Sequence, residues 1–258
     1  HYTRGNMTAT TWTRDLTHDG DIAKNPGPRW HRQQANNDGT RDITATTINI
    51  NGERALWDLI RQIQTGTERA QVILVQEHRQ TAAAIETITR TMDRYGYATY
   101  HTAAKQTTPR DRHHGNMTFV QRSLKSRQHH AHASEGGHYI AIKCNGTYII
   151  NTYVSHHHTR VAFIIQLNDY VHSLGHDARW FAAGDWNEEP DENTFEKMNP
   201  TTTVTAPTEP TRPTGTRTID YIISNTDDAT IKPRRPGRLP RRAPHASSTC
   251  RRTSRPSN

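Results

Sequence analysis

In the stretch RWFAAGDWNEEP, Arg179 to Pro190, a short apolar run ends abruptly at Gly184-Asp185-Trp186-Asn187 and then turns acidic. Residues two apart on a strand project from the same side, so Asp185 and Asn187 stand together where a sheet meets solvent. Other apolar runs end in the same way. Asn49 and Asn51 close ITATTINING, Glu77 follows QVILV, Tyr153 lies at the end of TYIINTYV, and Asp220 sits in RTIDYIIS. One acid at a strand end is commonplace. Three acids, two of them flanked by amide or phenol groups, form a set able to hold a hard cation and a phosphate together. Mg²⁺ keeps part of its water shell and needs only one or two carboxylates beside substrate oxygens, so a sparse set suffices.

These residues need a scaffold that brings strand ends to one edge, and the hydrophobic pattern supplies one. ITATTINING (43–52) alternates as a strand does, and ERALWDLIRQI (53–63) puts Ala55, Leu56, Leu59, Ile60 and Ile63 on one helical face. QVILVQEH reads as a strand covered on both faces. TAAAIETITRTM is helical; NMTFVQRS, GHYIAIKC and TYIINTYV are three further strands. RVAFIIQLNDYVHSL is an amphipathic helix, ARWFAAGD a strand, and RTIDYIIS the last convincing strand. Strands and helices in this order predict an α/β fold, a sandwich of two mixed β-sheets flanked by helices. In α/β sheets, sites are built where strand ends converge. No internal repeat is present.

Composition narrows the partners. The chain of 258 residues carries a net charge of +8 and is only 31% hydrophobic, with a mean hydropathy of −0.95 and a pI near 9.7. Such a chain favours a polyanion, nucleic acid before acidic membrane. No apolar run approaches the roughly 20 residues of a membrane span, and no signal segment opens the chain. Two cysteines, Cys144 and Cys250, make neither a disulfide framework nor a zinc site. A reducing compartment, nucleus or cytoplasm, is the expectation. The first residue is His1 rather than Met, which predicts a fragment of a longer product.

TINING, ILVQEH, NTYV, AAGDWNEEP and TIDYIIS, in this order across residues 43–224, resemble the successive motifs of the endonuclease/exonuclease/phosphatase family. That family includes abasic-site endonucleases, DNase I-like enzymes and the endonuclease domains of non-LTR retrotransposons. The resemblance implies a DNase I-like fold and Mg²⁺-dependent hydrolysis of a phosphodiester in DNA, with Mn²⁺ as a substitute metal. It makes Glu77 the principal metal ligand, assisted by Asn49. Asp185 would orient or deprotonate the attacking water, Asn187 would hydrogen-bond the scissile phosphate, and Tyr153 would steady the phosphate or leaving oxygen. His156, just after the Tyr153 strand, would contact substrate. Asp220 would orient a histidine from a final Ser-Asp-His motif. Two departures stand out: Asn51 occupies a position where many relatives carry Asp, and no Ser-Asp-His occurs. The one histidine at a comparable distance is His245, in RAPHASS.

The flanks predict three regions: a disordered leader over 1–41, the hydrolase domain over 42–232, and a basic Pro/Arg-rich tail over 233–258 that reads as truncated or frameshifted. Within the leader, DGDIAKNPGP (19–28) is similar to ribosome-skipping (2A-like) peptides, with Ala23 where their pattern has Glu. That placement resembles the start of several non-LTR retrotransposon reading frames. It implies a target-nicking role, a reverse transcriptase farther along the parent product, and a monomeric domain. Plainer readings stand beside these. Asp185 and Asn187 make an Asx turn capping EEPDEN, Glu77 is a solvated strand end, Tyr153 packs, Asp220 makes a structural hydrogen bond, and Asn-Pro-Gly-Pro is a turn. The histidine groups at 113–114, 129–132 and 156–158 read as solvated loops without zinc-site spacing. Two rival functions remain: a catalytically dead nucleic-acid-binding remnant, or another phosphodiesterase of the superfamily such as an abasic-site enzyme.

Overall fold

The computed structural model describes residues 8–14, 43–50, 53–108, 111–208, 211, 216–225 and 229–234, with the backbone alone at 8–14, 106–108, 111–112 and 229–234. In chain order the elements are β1 (Thr8–Arg14), β2 (Thr44–Asn49), α1 (Glu53–Gln64), β3 (Val72–Gln76), α2 (Ala82–Arg94), β4 (Tyr97–His101), β5 (Lys105–Thr108), β6 (Asp111–His113), β7 (Met117–Gln121), β8 (Arg127–Ala133), β9 (Gly137–Cys144), β10 (Thr147–Val154), α3 (Arg160–Ser173), β11 (Arg179–Asp185), α4 (Thr194–Met198), β12 (Thr203–Thr205), β13 (Asp220–Ser224) and β14 (Ala229–Arg234). One sheet has the order β14-β1-β2-β3-β7-β4 and the other β12-β13-β11-β10-β9-β8, with β5 and β6 forming a separate hairpin. Each large sheet has a single parallel pair, β2 with β3 and β10 with β11, among antiparallel neighbours. The expected sandwich of two mixed sheets flanked by helices is the architecture found.

Three apolar layers hold it together. Ile43, Ala45, Val72, Leu74 and Val120 of one sheet meet Ile140, Ile142, Ile149, Phe181, Ala183 and Ile222 of the other, making the dry seam between them. The outer face of the first sheet takes Leu56, Leu59, Ile60 and Ile63 of α1 with Ile85, Ile88 and Met92 of α2. The outer face of the second takes Phe163, Ile164, Leu167 and Val171 of α3 with Phe195 of α4. The side chains alternate along each strand because the period of a strand is two, so each strand feeds one apolar series to the seam and another to its helices.

The structure adds strands where the sequence reading has none. β1 lies inside the expected leader, paired antiparallel with β2 and with β14. β14 runs to Arg234, past the expected domain edge at 232 and into the basic tail. Both are ordered by sheet pairing that local pattern does not reveal. β8, RQHHAHA, is a polar edge strand, so the 129–132 histidines lie on a strand and not in a loop. His130 stacks on Tyr170 and His132 on Tyr139. The 19–28 segment, Asn51 and His245 lie outside the described residues. Among the described residues no helix is long and apolar enough to cross a membrane.

Candidate active site

The series that fills the seam turns polar towards one edge. Along β2 it runs Ala45, Thr47, Asn49; along β3, Val72, Leu74, Gln76; along β10, Ile149, Asn151, Tyr153; along β11, Phe181, Ala183, Asp185. β13 is antiparallel to β11, and Asp185 pairs with Asp220. Asp220 is therefore at the start of its strand and not the end, yet antiparallel pairing brings it to the same edge. Tyr153 pairs with Asp185 in turn, so Tyr153, Asp185 and Asp220 stand in one line at adjacent-strand spacing, about 4.8 Å per step.

Behind that line, both sheets are tied by a buried polar layer. Gln76 Nε2 donates to Asn151 Oδ1 at 2.7 Å. Asn151 Nδ2 is shared by the carbonyls of Val75 and Met117 and the hydroxyl of Thr118 at 3.0–3.2 Å. Asn116 Nδ2 donates to the carbonyls of His138 and Asn151. Each amide spans two or more strands, so the sheets cannot slide at this level without breaking buried bonds.

At the edge itself, Asn49 closes the mouth of the sandwich. Its Nδ2 lies 3.0 Å from Glu77 Oε1 and 2.6 Å from Asp185 Oδ2, a single amide bridging acids from opposite sheets. Glu77 Oε2 is ion-paired with Arg79 Nη2 at 2.6 Å. Burial opposes ionisation of Glu77, but the bonds from Asn49 and Arg79 and the Arg79 charge outweigh it and hold the carboxyl below its usual range. Tyr153 is 6% exposed. Burial, then the charges of Glu77 and Asp185, push its phenol up. It is a proton donor at any working pH.

The Glu77 loop is fixed by its neighbour. His78 is fully buried; its Nδ1 accepts from the Gln80 N–H at 3.0 Å, which leaves Nε2 to donate to the Thr102 carbonyl at 2.9 Å. The backbone N–H groups of His78 and Arg79 donate to the Gly115 and His114 carbonyls. A Cβ at Gly115 would lie 2.5 Å from the His78 ring, and the residue has φ +88°, so glycine is required there on both counts. Of the six non-glycine residues described with positive φ, four are at this edge: Glu77, Arg79, His114 and Asn187. Such backbone costs of order 1 kcal/mol per residue and gathers where a site demands a set geometry.

Asp185 and Asn187 do make an Asx turn, Asn187 N–H to Asp185 Oδ1 at 3.0 Å. It does not cap the following segment: Glu188 accepts from Thr194 N, and Asn193 caps α4. Asn187 Nδ2 donates to the Val154 carbonyl at 2.6 Å, which ties it to the end of β10. The turn and the site are thus one structure. His156 lies on the exposed bend after β10. His114, read from sequence as a solvated loop residue, packs 5.4 Å from the Tyr153 ring and 5.3 Å from the His138 ring. Arg79 was also missed. The remaining signal for both was their position beside a motif or a strand start.

The model of the Endonuclease/Exonuclease/phosphatase family matches residues 46–249. The chain belongs to that family. The family match runs beyond β14 across His245. Among solved structures, the 3′ phosphatase NExo from Neisseria, bound to product DNA hairpin, shares 12% identity with a TM-score of 0.50, covering 68% of this chain and 84% of that one. The endonuclease domain of TRAS1, a telomere-specific non-LTR retrotransposon, shares 12% at TM-score 0.48 over 69% and 82%. The AP endonuclease LMAP from Leishmania major shares 15% at 0.45 over 69% and 77%. No curated protein matches.

Family membership implies a divalent metal, and the donor chemistry fits one. Glu77 offers hard carboxylate oxygens and Asn49, hydrogen-bonded to it, an amide oxygen, within the sparse ligand set Mg²⁺ takes. Among the described residues no group of three or more His, Cys, Asp and Glu could by itself hold a metal.

Proposed function

We propose that this family member is a Mg²⁺-dependent phosphodiester hydrolase that nicks DNA. The observation that carries the reading is the Asn49 bridge between Glu77 and Asp185 at the polar mouth of the seam. Glu77 and Asn49 would hold the metal, which supplies positive charge to the phosphate oxygens. Asp185, next to them and 1% exposed, would orient a water and take its proton. The protonated Tyr153 phenol donates to a phosphate or leaving oxygen, and Asn187 supplies a second donor. Asp220, paired beside Asp185, would orient a histidine if one is supplied.

The charge of +8 supports nucleic acid as substrate. The motif set and the 2A-like segment support the finer reading, the target-nicking endonuclease of a non-LTR retrotransposon in nucleus or cytoplasm. In that reading a monomeric domain spans 42–232 and acts with a reverse transcriptase from the same parent product. One observation favours a second reading, a nucleic-acid-binding remnant: the sequence lacks Ser-Asp-His. Nicking of supercoiled plasmid with Mg²⁺, with chelator, and by Asp185→Asn separates the two. Mg²⁺-dependent nicking lost in the variant supports hydrolysis; DNA binding without nicking supports the remnant.

A further inference from the structure

Arg79 belongs to none of the motifs, yet its guanidinium occupies the acid on which they centre. Nη2 lies 2.6 Å from Glu77 Oε2, while Oε1 takes the Asn49 amide at 3.0 Å. Each oxygen of the carboxylate already has a strong donor, and one of them carries a full positive charge. The pairing is built in, because Glu77 and Arg79 both have left-handed backbone, φ 54° and 52°. The intervening His78 is pinned through its ring and its N–H. The Arg79 side chain is 32% exposed, so it reaches the mouth of the site. Its buried Nε has no hydrogen-bond partner.

A guanidinium and a divalent ion cannot both make full use of one carboxylate. Mg²⁺ requires oxygens at about 2.0–2.1 Å in near-octahedral array and gains nothing from a cation on the same ligand. The planar fork of arginine is suited to phosphate as well as to carboxylate. We propose that Arg79 is a phosphate-binding residue that competes with the divalent cation for Glu77, so that cation entry and transfer of the guanidinium from Glu77 to a DNA phosphate are linked. The inference rests on the hydrolase reading above. By reciprocity, bound DNA must then raise cation affinity as much as the cation raises DNA affinity.

The test is calorimetric titration of Mn²⁺ into the full chain and into Arg79→Gln, Arg79→Lys and Glu77→Gln, with binding of a short duplex followed by fluorescence anisotropy both with Mn²⁺ and in chelator. Arg79→Gln should bind Mn²⁺ about fivefold or more tightly. With Mn²⁺ present it should bind duplex more weakly, with a log–log salt slope shallower by about one. Arg79→Lys, a point charge without the fork, should fall between. Unchanged or weaker Mn²⁺ binding by Arg79→Gln would show that the pair only positions Glu77 and would overturn the proposal; unchanged duplex binding would do the same. If the native chain has no Mn²⁺ site that Glu77→Gln removes, the hydrolase reading itself fails and takes this one with it.

Discussion

Lowering the pH from 8 to 5 should destabilise this fold through a buried imidazole, and the size of the effect follows from its surroundings. His138 is 3% exposed and pairs across β9–β10 with Tyr153. Its Nδ1 is 3.1 Å from the Thr102 hydroxyl, which also accepts the Asn116 N–H. Burial, and then the neighbouring His114, His78 and His132, lower its pKa to about 3. Unfolded, the group titrates near 6.5. The unfolded chain thus binds more protons than the native one between these values. Stability is complete above pH 6.5 and falls as pH drops towards 3. At pH 5 the cost for His138 is about 2 kcal/mol. His78, lowered to about 4 by burial, adds a similar amount in the same direction. Against a typical total of about 5–15 kcal/mol, a loss of ~4 is large, and at roughly 2–4 °C per kcal/mol it moves the melting temperature by about 8–16 °C. Glu77, held below its usual range, acts only at lower pH, where its contribution is lost as pH falls through its folded value. Calorimetric melts at matched ionic strength from pH 8 to 5 measure the slope, and His138→Gln should remove about one proton's worth of it. A flat profile, or a slope unchanged in that variant, would refute the claim that these imidazoles are buried neutral.

Three further outcomes bear on the site. A methyl at Gly184 would lie 1.7 Å from the Thr152 carbonyl oxygen, a backbone atom that cannot give way. Gly184→Ala should therefore lower the urea midpoint by the equivalent of about 3 kcal/mol and abolish nicking with it. Tyr153→Phe keeps the ring against His114 but removes the phenol, so nicking should slow by about 10²-fold while the melting temperature stays within a few degrees. Asn49→Ala removes the amide that separates two carboxylates. In single-turnover assays the acid limb of the pH–rate profile should move up as one acid holds its proton, and an unmoved limb would count against the bridge.

Asn49 and Asp185 were legible because the seam obeys a period of two, and that period is written in the sequence; Glu77 falls out of step with it, since Gln76 takes the seam position on β3. Ala45-Thr47-Asn49 and Phe181-Ala183-Asp185 show it without any structure. Asp220 was legible as a residue but not as a strand start, since only antiparallel pairing with β11 decides which end of β13 reaches the edge. β8 and β14 carry polar and basic residues and owe their extended form to a neighbouring strand, so propensity gives little sign of them. The Glu77–Gln80 loop was the hardest to read. Its shape depends on Thr102, His114 and Gly115, all more than twenty residues away in sequence.

The two missed residues, Arg79 and His114, share one cause that also explains the arrangement of the site. His114 and Gly115 form the loop whose carbonyls hold the His78 and Arg79 N–H groups. The same loop sets His114 against Tyr153 and fixes Arg79 on Glu77. A motif search sees the acid on β3 and the phenol on β10, each at the end of its own strand. The loop that enters β7 joins them from the side, meeting the phenol with the His114 ring and holding the turn after β3 through backbone atoms, which leave almost no trace in residue type. Glycine at 115 is the exception, and it marks the place where this join passes closest to His78.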